Sequence, residues 1–410
     1  MYHDVSFENA IVFAQDLIRI PSVSGDEGAV AKRTVEELKK LRFDDVWVDK
    51  IGNVLACLKS KRRGPPIMLC SHLDVVDAGD HSQWEYPPFG GEISGGRLYG
   101  RGAIDCKGPL ALQTYAAASL INSQTAGDIY LVFTVLEESG SWGMAHFMAH
   151  GGIRPAAVIL GEATAGDICI GHRGRKELMI TICGRSAHAS APQRGRNPID
   201  FLPSIIDALR SFIESLPSHP VLGRSTLAPT IIETQPQSRN MVPEEVRITV
   251  DWRTLPIGED RNTVESLRSF LQDRLKNEIS DNIKIQESLE TQRTYTGFEH
   301  TDRISTAGFL LSASHQLVQE AVEAVQAATG VTPAARPWTF GTDGGCSCGI
   351  HGIPTIGYAP GREADAHTNR ERLQLDSARK VYRAYPRLML RLQQSIAGGV
   401  LPDYQGGMTD

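Results

Sequence analysis

Apolar positions recur along this chain with two different periods. In "MYHDVSFENAIVFAQDLIRI", Ile11, Val12, Ala14, Leu17 and Ile18 share one side of a helix. After the loop "PSVSGDEG", the segment "AVAKRTVEELKKL" repeats that spacing with Val30, Val35, Leu38 and Leu41. The short runs "DVWVDK", "NVLACLK" and "PIMLC" read as strands. "PLALQTYAAASLI" returns to a helix, with Pro109 tolerated in its first turn. "DIYLVFTVL" and "AAVILG" are unbroken apolar runs, which strands covered on both faces require.

The pattern changes near Arg175. "KELMITICG" and "VRITVDWRTL" alternate apolar and polar residues, as half-exposed antiparallel strands do. Between them lies a helix, "NPIDFLPSIIDALRSFIESL". After them come the helix "TVESLRSFLQDRL" and the strand "NIKIQES". Helix–strand alternation then resumes in "LSASHQLVQEAVEAVQAATG" and "PTIGYAP". The pattern predicts a discontinuous α/β domain, residues 1–174 and 297–410, with a smaller α+β unit inserted at 175–296.

A length of 410 residues agrees with two domains. A formal net charge of −6 gives no reason to expect nucleic acid or an anionic membrane as partner. The seven cysteines are an odd number, scattered mostly within apolar runs, so reduced thiols and a cytoplasmic location are expected. Cys346-Ser-Cys348 lacks the second cysteine pair of a closed zinc site. The N-terminal helix has no basic start and carries Asp4, Glu8 and Asp16, unlike a secretion signal. No apolar run reaches transmembrane length.

Polar residues punctuate the apolar runs. "PIMLC" ends at "SHLD", with His72 and Asp74. "DIYLVFTVL" ends at Glu137-Glu138, and "AAVIL" at Gly161-Glu162. Asp105 lies in the Gly-rich "GRGAIDCKG" just before a helix, and "PTIGYAP" leads to His367 in "GREADAHTNRE". In open α/β sheets, ligands bind beyond the carboxyl ends of strands. Two imidazoles and three carboxylates suit zinc, cobalt or manganese, and a shared carboxylate can bridge two ions. Taken singly, each residue has a plainer reading, as a hydrogen-bonded histidine or a solvated loop carboxylate.

"SHLDVV", "GRGAIDCKG", "LEESGSWG", "GEAT" and "AHTNRE" resemble, in order, the motifs of the ArgE/DapE/aminoacylase/glutamate carboxypeptidase family of zinc metallopeptidases. "WTFGTDGG", "GHRGRKE" and "AHASAPQRGRNPI" look most like its YgeY-type branch. The resemblance implies a zinc-peptidase-like catalytic domain with a mixed sheet and flanking helices, and an inserted ferredoxin-like lid and dimerisation domain. It implies two divalent ions, zinc first, with cobalt or manganese as alternatives. His72 and Glu162 would hold one ion and Glu138 and His367 the other, with Asp105 bridging. Asp74 would orient His72, and Glu137 would be the general base. The peptide bond after Asp105 would be cis.

In the inserted block, the resemblance gives His188 of "GRSAHASAP" as an oxyanion donor supplied to the partner subunit of a homodimer. Asn240 of "SRNMVPEE" and Arg253 of "DWRTLP" would bind substrate. Arg253 has an alternative reading as the ion-pair partner of Asp251, Glu244 or Glu245. "GEA" stands where relatives often have "GEP", and no role is transferred to Thr342 or Asp343 of "GTDGG". The implied activity is hydrolysis of the acyl–nitrogen bond of an N-acyl amino acid or short peptide. An N-carbamoyl-amino-acid hydrolase, a broad dipeptidase and an inactive binding protein on the same scaffold are the competing readings.

Overall fold

Ser6 opens the first helix, α1 (Phe7–Ile18), by accepting from the Asn9 amide at 3.3 Å. The computed structural model describes residues 5–256, 263–276 and 282–398. Phe7, Ala10, Ile11, Phe13, Ala14, Leu17 and Ile18 of α1 are buried, but Val12 is 53% exposed. The expected apolar face was therefore one residue too wide: Val12 falls a third of a turn from Ile11, toward solvent. After α1 come α2 (Gly28–Lys40), β1 (Asp45–Val48), β2 (Val54–Leu58) and β3 (Ile67–His72). Helix α3 (Lys107–Ala118) is buried on every side, which its Leu- and Ala-rich sequence permits. Strand β4 (Ile129–Thr134), helix α4 (Trp142–His150) and strands β5 (Ala157–Leu160) and β6 (Ile168–Cys169) follow.

The chain divides into two units. One comprises Met1–His172, Gln292–His300 and Phe309–Asp410; the other comprises Arg173–Thr291 and Thr301–Gly308. Its return path is more broken than a single insertion border suggests. Gln292–His300 belongs to the first unit: Gln292 Nε2 donates to the Ser139 carbonyl at 2.7 Å and the Tyr295 hydroxyl to that of Gly52 at 3.0 Å.

The second unit runs β7 (Gly174–Cys183), α5 (Leu202–Ser215), β8 (Thr226–Gln235), β9 (Glu245–Thr254), α6 (Val264–Arg274) and β10 (Ile283–Glu287). These strands form an antiparallel sheet in the order β8-β9-β7-β10, a βαββαβ unit. Leu178, Ile180 and Ile182 alternate into its core with Val246, Ile248, Val250 and Trp252. Ile205, Leu209 and Phe212 of α5 and Leu267 and Leu271 of α6 cover them. Strand β8 is at the edge, and Ile231 and Ile232 on it are exposed.

The first unit resumes with α7 (Gln316–Thr329), β11 (Ala335–Arg336), β12 (Thr355–Gly357) and α8 (Leu375–Gly398). Its eight-stranded mixed sheet has the order β1-β2-β4-β3-β5-β12-β6-β11. Strands β4, β3, β5 and β12 are mutually parallel, so their carboxyl ends lie along one edge. The described helices α1, α3, α7 and α8 pack together over one continuous core. No helix among the described residues is long and apolar enough to cross a membrane.

Candidate active site

The four parallel strands deliver their polar ends to one place. His72 closes β3, Glu137 and Glu138 follow β4, Glu162 follows β5, and the chain after β12 leads to His367. Asp105 joins them from the turn before α3, and the Asp105–Cys106 peptide bond is cis. Asp105 Oδ1 lies 2.9 Å from His72 Nε2, and its Oδ2 lies 3.1 Å from His367 Nε2. One carboxylate thus faces two histidines with a different oxygen for each. Glu162 Oε1 stands 3.5 Å from His72 Nε2, and Glu138 Oε1 stands 3.0 Å from His367 Nε2. Donor atoms of His72, Asp105 and Glu138 lie within 4.8 Å of one another, as do those of His72, Cys106 and Glu162.

Asp74 makes more contacts than orienting His72 demands. The His72 Nδ1 meets the Asp74 main-chain carbonyl at 2.9 Å, while the carboxylate stands 3.6 Å away. That carboxylate instead accepts from the Glu137 amide at 3.1 Å, the Glu138 amide at 3.1 Å and Ser24 Oγ at 2.7 Å. It fixes the backbone that carries both glutamates.

Burial and like charge act together here. Glu137 and Glu162 are both pushed well above the usual carboxylate range, first by burial; for Glu137 the next raising influence is the charge of Glu162, and for Glu162 that of Asp105. His367 is pushed up to about 10 by its hydrogen bonds to Asp105 and Glu138. Buried carboxylates this close need cations between them. Imidazole nitrogens with carboxylate oxygens are the donor set that zinc, cobalt and manganese accept. The residues therefore fit divalent ions.

Two residues without a sequence-assigned role shape this site. Glu371, the last residue of "AHTNRE", is buried; it accepts from the Ile104 and Asp105 amides at 3.1 and 3.3 Å and pairs with Arg101 at 2.6 Å. It locks the turn that presents Asp105. Asp343 is buried and accepts from Thr134 Oγ1 at 2.8 Å, beneath the end of β4. The signal for both was a carboxylate inside a motif already recognised: Glu371 in "AHTNRE", Asp343 in "GTDGG". Thr342, beside Asp343, pairs with His172 at 3.0 Å.

His188, Asn240 and Arg253 belong to the second unit. The structure brings the first two together: Ala187–His188 pairs with Met241–Val242, and the Ala189 amide donates to the Asn240 carbonyl at 2.9 Å. His188 is exposed, and its Nδ1 accepts from the Ser190 amide at 3.1 Å. Arg253 lies on β9 beside Asp251. Its guanidinium closes on Asp251, at 2.7 and 3.3 Å, and that carboxylate also takes Arg175 at 2.7 Å.

Residues 68–391 match the model of Peptidase family M20/M25/M40. The uncharacterized protein YgeY of Escherichia coli (strain K12) is 31% identical over 366 residues, 88% of each chain. A succinyl-diaminopimelate desuccinylase of Rhodospirillum centenum is 34% identical over 287 residues, covering 65% of this chain and 72% of its own. Among solved structures, the aminopeptidase PepT of Bacillus cereus superposes with a TM-score of 0.71 at 21% identity, over 94% of this chain and 99% of its own. The fold agrees with these likenesses, and the chain belongs to peptidase family M20/M25/M40, as a metal-dependent hydrolase of amide bonds.

Proposed function

We propose that this protein is a two-metal hydrolase that cleaves the acyl–nitrogen bond of N-acyl amino acids or short peptides. The observation that carries the reading is Asp105, whose two oxygens face His72 and His367 separately. His72 and Glu162 would hold one ion, His367 and Glu138 the other, with Asp105 between them. Zinc is the first choice, with cobalt and manganese next. Two such ions supply Lewis acidity toward the scissile carbonyl and acidify an attacking water.

Glu137 is the general base in this reading. Burial and the charge of Glu162 raise its carboxyl well above the usual carboxylate range, which suits a group that must both take and return a proton. It takes the proton of the attacking water and passes it to the leaving nitrogen. Asp74 and Glu371 are positioning residues, holding the Glu137–Glu138 backbone and the Asp105 turn. His188, beside Asn240 on the inserted unit, donates to the developing oxyanion, and Asn240 contacts the scissile region. Arg253, paired with Asp251 in this structure, is the second substrate-binding residue of this reading, for a free carboxylate. The exposed edge strand β8, with Ile231 and Ile232, supports a homodimer formed through this unit. Seven free cysteines, six of them buried, support a cytoplasmic setting.

The test is a screen of the zinc-loaded protein against N-acetyl, N-succinyl and N-carbamoyl amino acids and against dipeptides, read as release of free amino acid. Turnover of the acyl amino acids or dipeptides supports the proposal. Turnover of the carbamoyl compounds alone replaces it with the carbamoyl hydrolase, and no turnover with any of the four overturns it.

A further inference from the structure

Helix α4 carries two histidines, His146 and His150, one turn apart on the same face. Their ring centroids are 4.7 Å apart and the rings are inclined at 53°. An imidazole nitrogen sits about 2.0–2.1 Å from a bound zinc ion, and the ring centre lies roughly 1.1 Å beyond it. Two imidazoles on one ion at about 90–110° therefore have centroids roughly 4.5–5.2 Å apart. The observed separation falls inside that window.

The surroundings supply what a ligand pair needs. His146 is half-buried, and its Nδ1 has no hydrogen-bond partner. Asp49 Oδ2 stands 3.7 Å from it, beyond hydrogen-bond reach. Asp49 is itself fixed, since its Oδ1 accepts from the amides of Ile51, Gly52 and Asn53 at 3.1, 3.0 and 3.0 Å. Its Oδ2 accepts from Asn53 Nδ2 at 2.8 Å, so Asp49 sets a fixed negative charge beside the His146 ring, favourable to a nearby cation, without bonding to the ring. Phe298 stands edge-on to His146 at 5.9 Å and limits the ring's freedom. His150 is exposed, so an ion has access from solvent. Burial, opposed in part by Asp49, lowers the affinity of His146 for a proton, which keeps the ring in its ligating form. The charges of His150 and of Lys50, whose ammonium lies 4.9 Å from the Phe298 ring centre, act with burial in the same direction.

We infer that His146 and His150, backed by Asp49, form an accessory site for a transition-metal dication, separate from the carboxylate-rich centre. Imidazole pairs without thiolate take zinc, nickel and copper, and discriminate against magnesium and calcium. None of the residues proposed for catalysis takes part. The site lies on the helix that follows the Glu137–Glu138 loop.

The experiment counts zinc. Full-length protein is equilibrated by dialysis against micromolar free zinc, and bound metal per chain is measured for the parent, His150→Ala and His146→Gln. The parent should hold one equivalent more than either variant. In zinc-free buffer His150→Ala should melt with the parent, because that side chain is exposed, and its zinc-dependent rise in melting temperature should be smaller. Magnesium in place of zinc should leave parent and variants alike. Equal zinc content in the parent and both variants overturns the inference, as does an equal zinc-dependent thermal shift in the parent and His150→Ala.

Discussion

Asp74→Asn removes a charge while keeping a shape, and its consequences can be worked out atom by atom. The carboxylate is fully buried. Its Oδ1 receives the Glu137 amide, and its Oδ2 receives the Glu138 amide and the Ser24 hydroxyl. Asparagine offers one acceptor oxygen. Turned toward Glu137, it sets its NH₂ against the Glu138 N–H, and turned the other way it opposes Glu137. Ser24 can rotate its hydroxyl and accept instead. One backbone donor is stranded in either orientation, at a cost of about 1–3 kcal/mol. The remaining bonds also lose their charge assistance, which roughly halves their strength. The expected total is about 2–4 kcal/mol of unfolding free energy. Urea unfolding of the metal-free variant measures it without the stabilisation that bound ions add. The loosened Glu137–Glu138 backbone should cost about 10–100-fold in kcat/KM at saturating zinc. An unchanged urea midpoint together with unchanged kcat/KM would refute the reasoning. Lost stability with full activity would show that bound ions alone fix the loop.

Chelation should abolish turnover, and zinc, cobalt or manganese should restore it; full activity in metal-stripped protein would remove the two-metal mechanism. Glu137→Ala should keep its metal and lose about 10²–10⁴-fold in rate. Glu138→Ala should lose metal as well, and an exchange of those two phenotypes, read by metal analysis beside kinetics, would reassign the base. Mixing His188→Ala with Glu137→Ala under conditions of subunit exchange should restore activity if the histidine serves the partner's site. No recovery despite demonstrated exchange would make His188 act within its own chain or only in structure.

The strand-end residues were legible because polar side chains interrupt apolar runs at His72, Glu137 and Glu162, where a buried strand has no other use for them. The connections among them were not. Asp74 reaches amides 63 and 64 residues away, and Glu371 reaches an amide 266 residues away. No local pattern encodes such pairs. Strand β8 escaped notice because it is almost wholly exposed and carries Pro229 at a register shift, so it lacks the alternation that marked β7 and β9. Helix α8 was hidden differently: Ala378, Val381, Tyr385, Leu388 and Leu392 hold helical spacing, but Pro386 breaks the run of helix formers. The sheet order was unreadable for a related reason, since β12 enters between β5 and β6 from far along the chain.

That late entry bears on how the protein is made. Strands β5 and β6 leave the ribosome early, yet each must wait for β12 to fill the space between them. The hydrogen bond from Thr164 to the Ala359 carbonyl, beside this junction, spans 195 residues. At about 5–20 residues per second, that is roughly 10–40 s of translation during which β5 has an unpaired edge. An open apolar strand edge invites pairing with another chain. The βαββαβ unit, whose strands and helices are nearly contiguous, can close during the same interval. The nascent chain therefore carries a finished small unit beside an unfinished sheet, and synthesis rate and chaperone access bear most heavily on yield in that window.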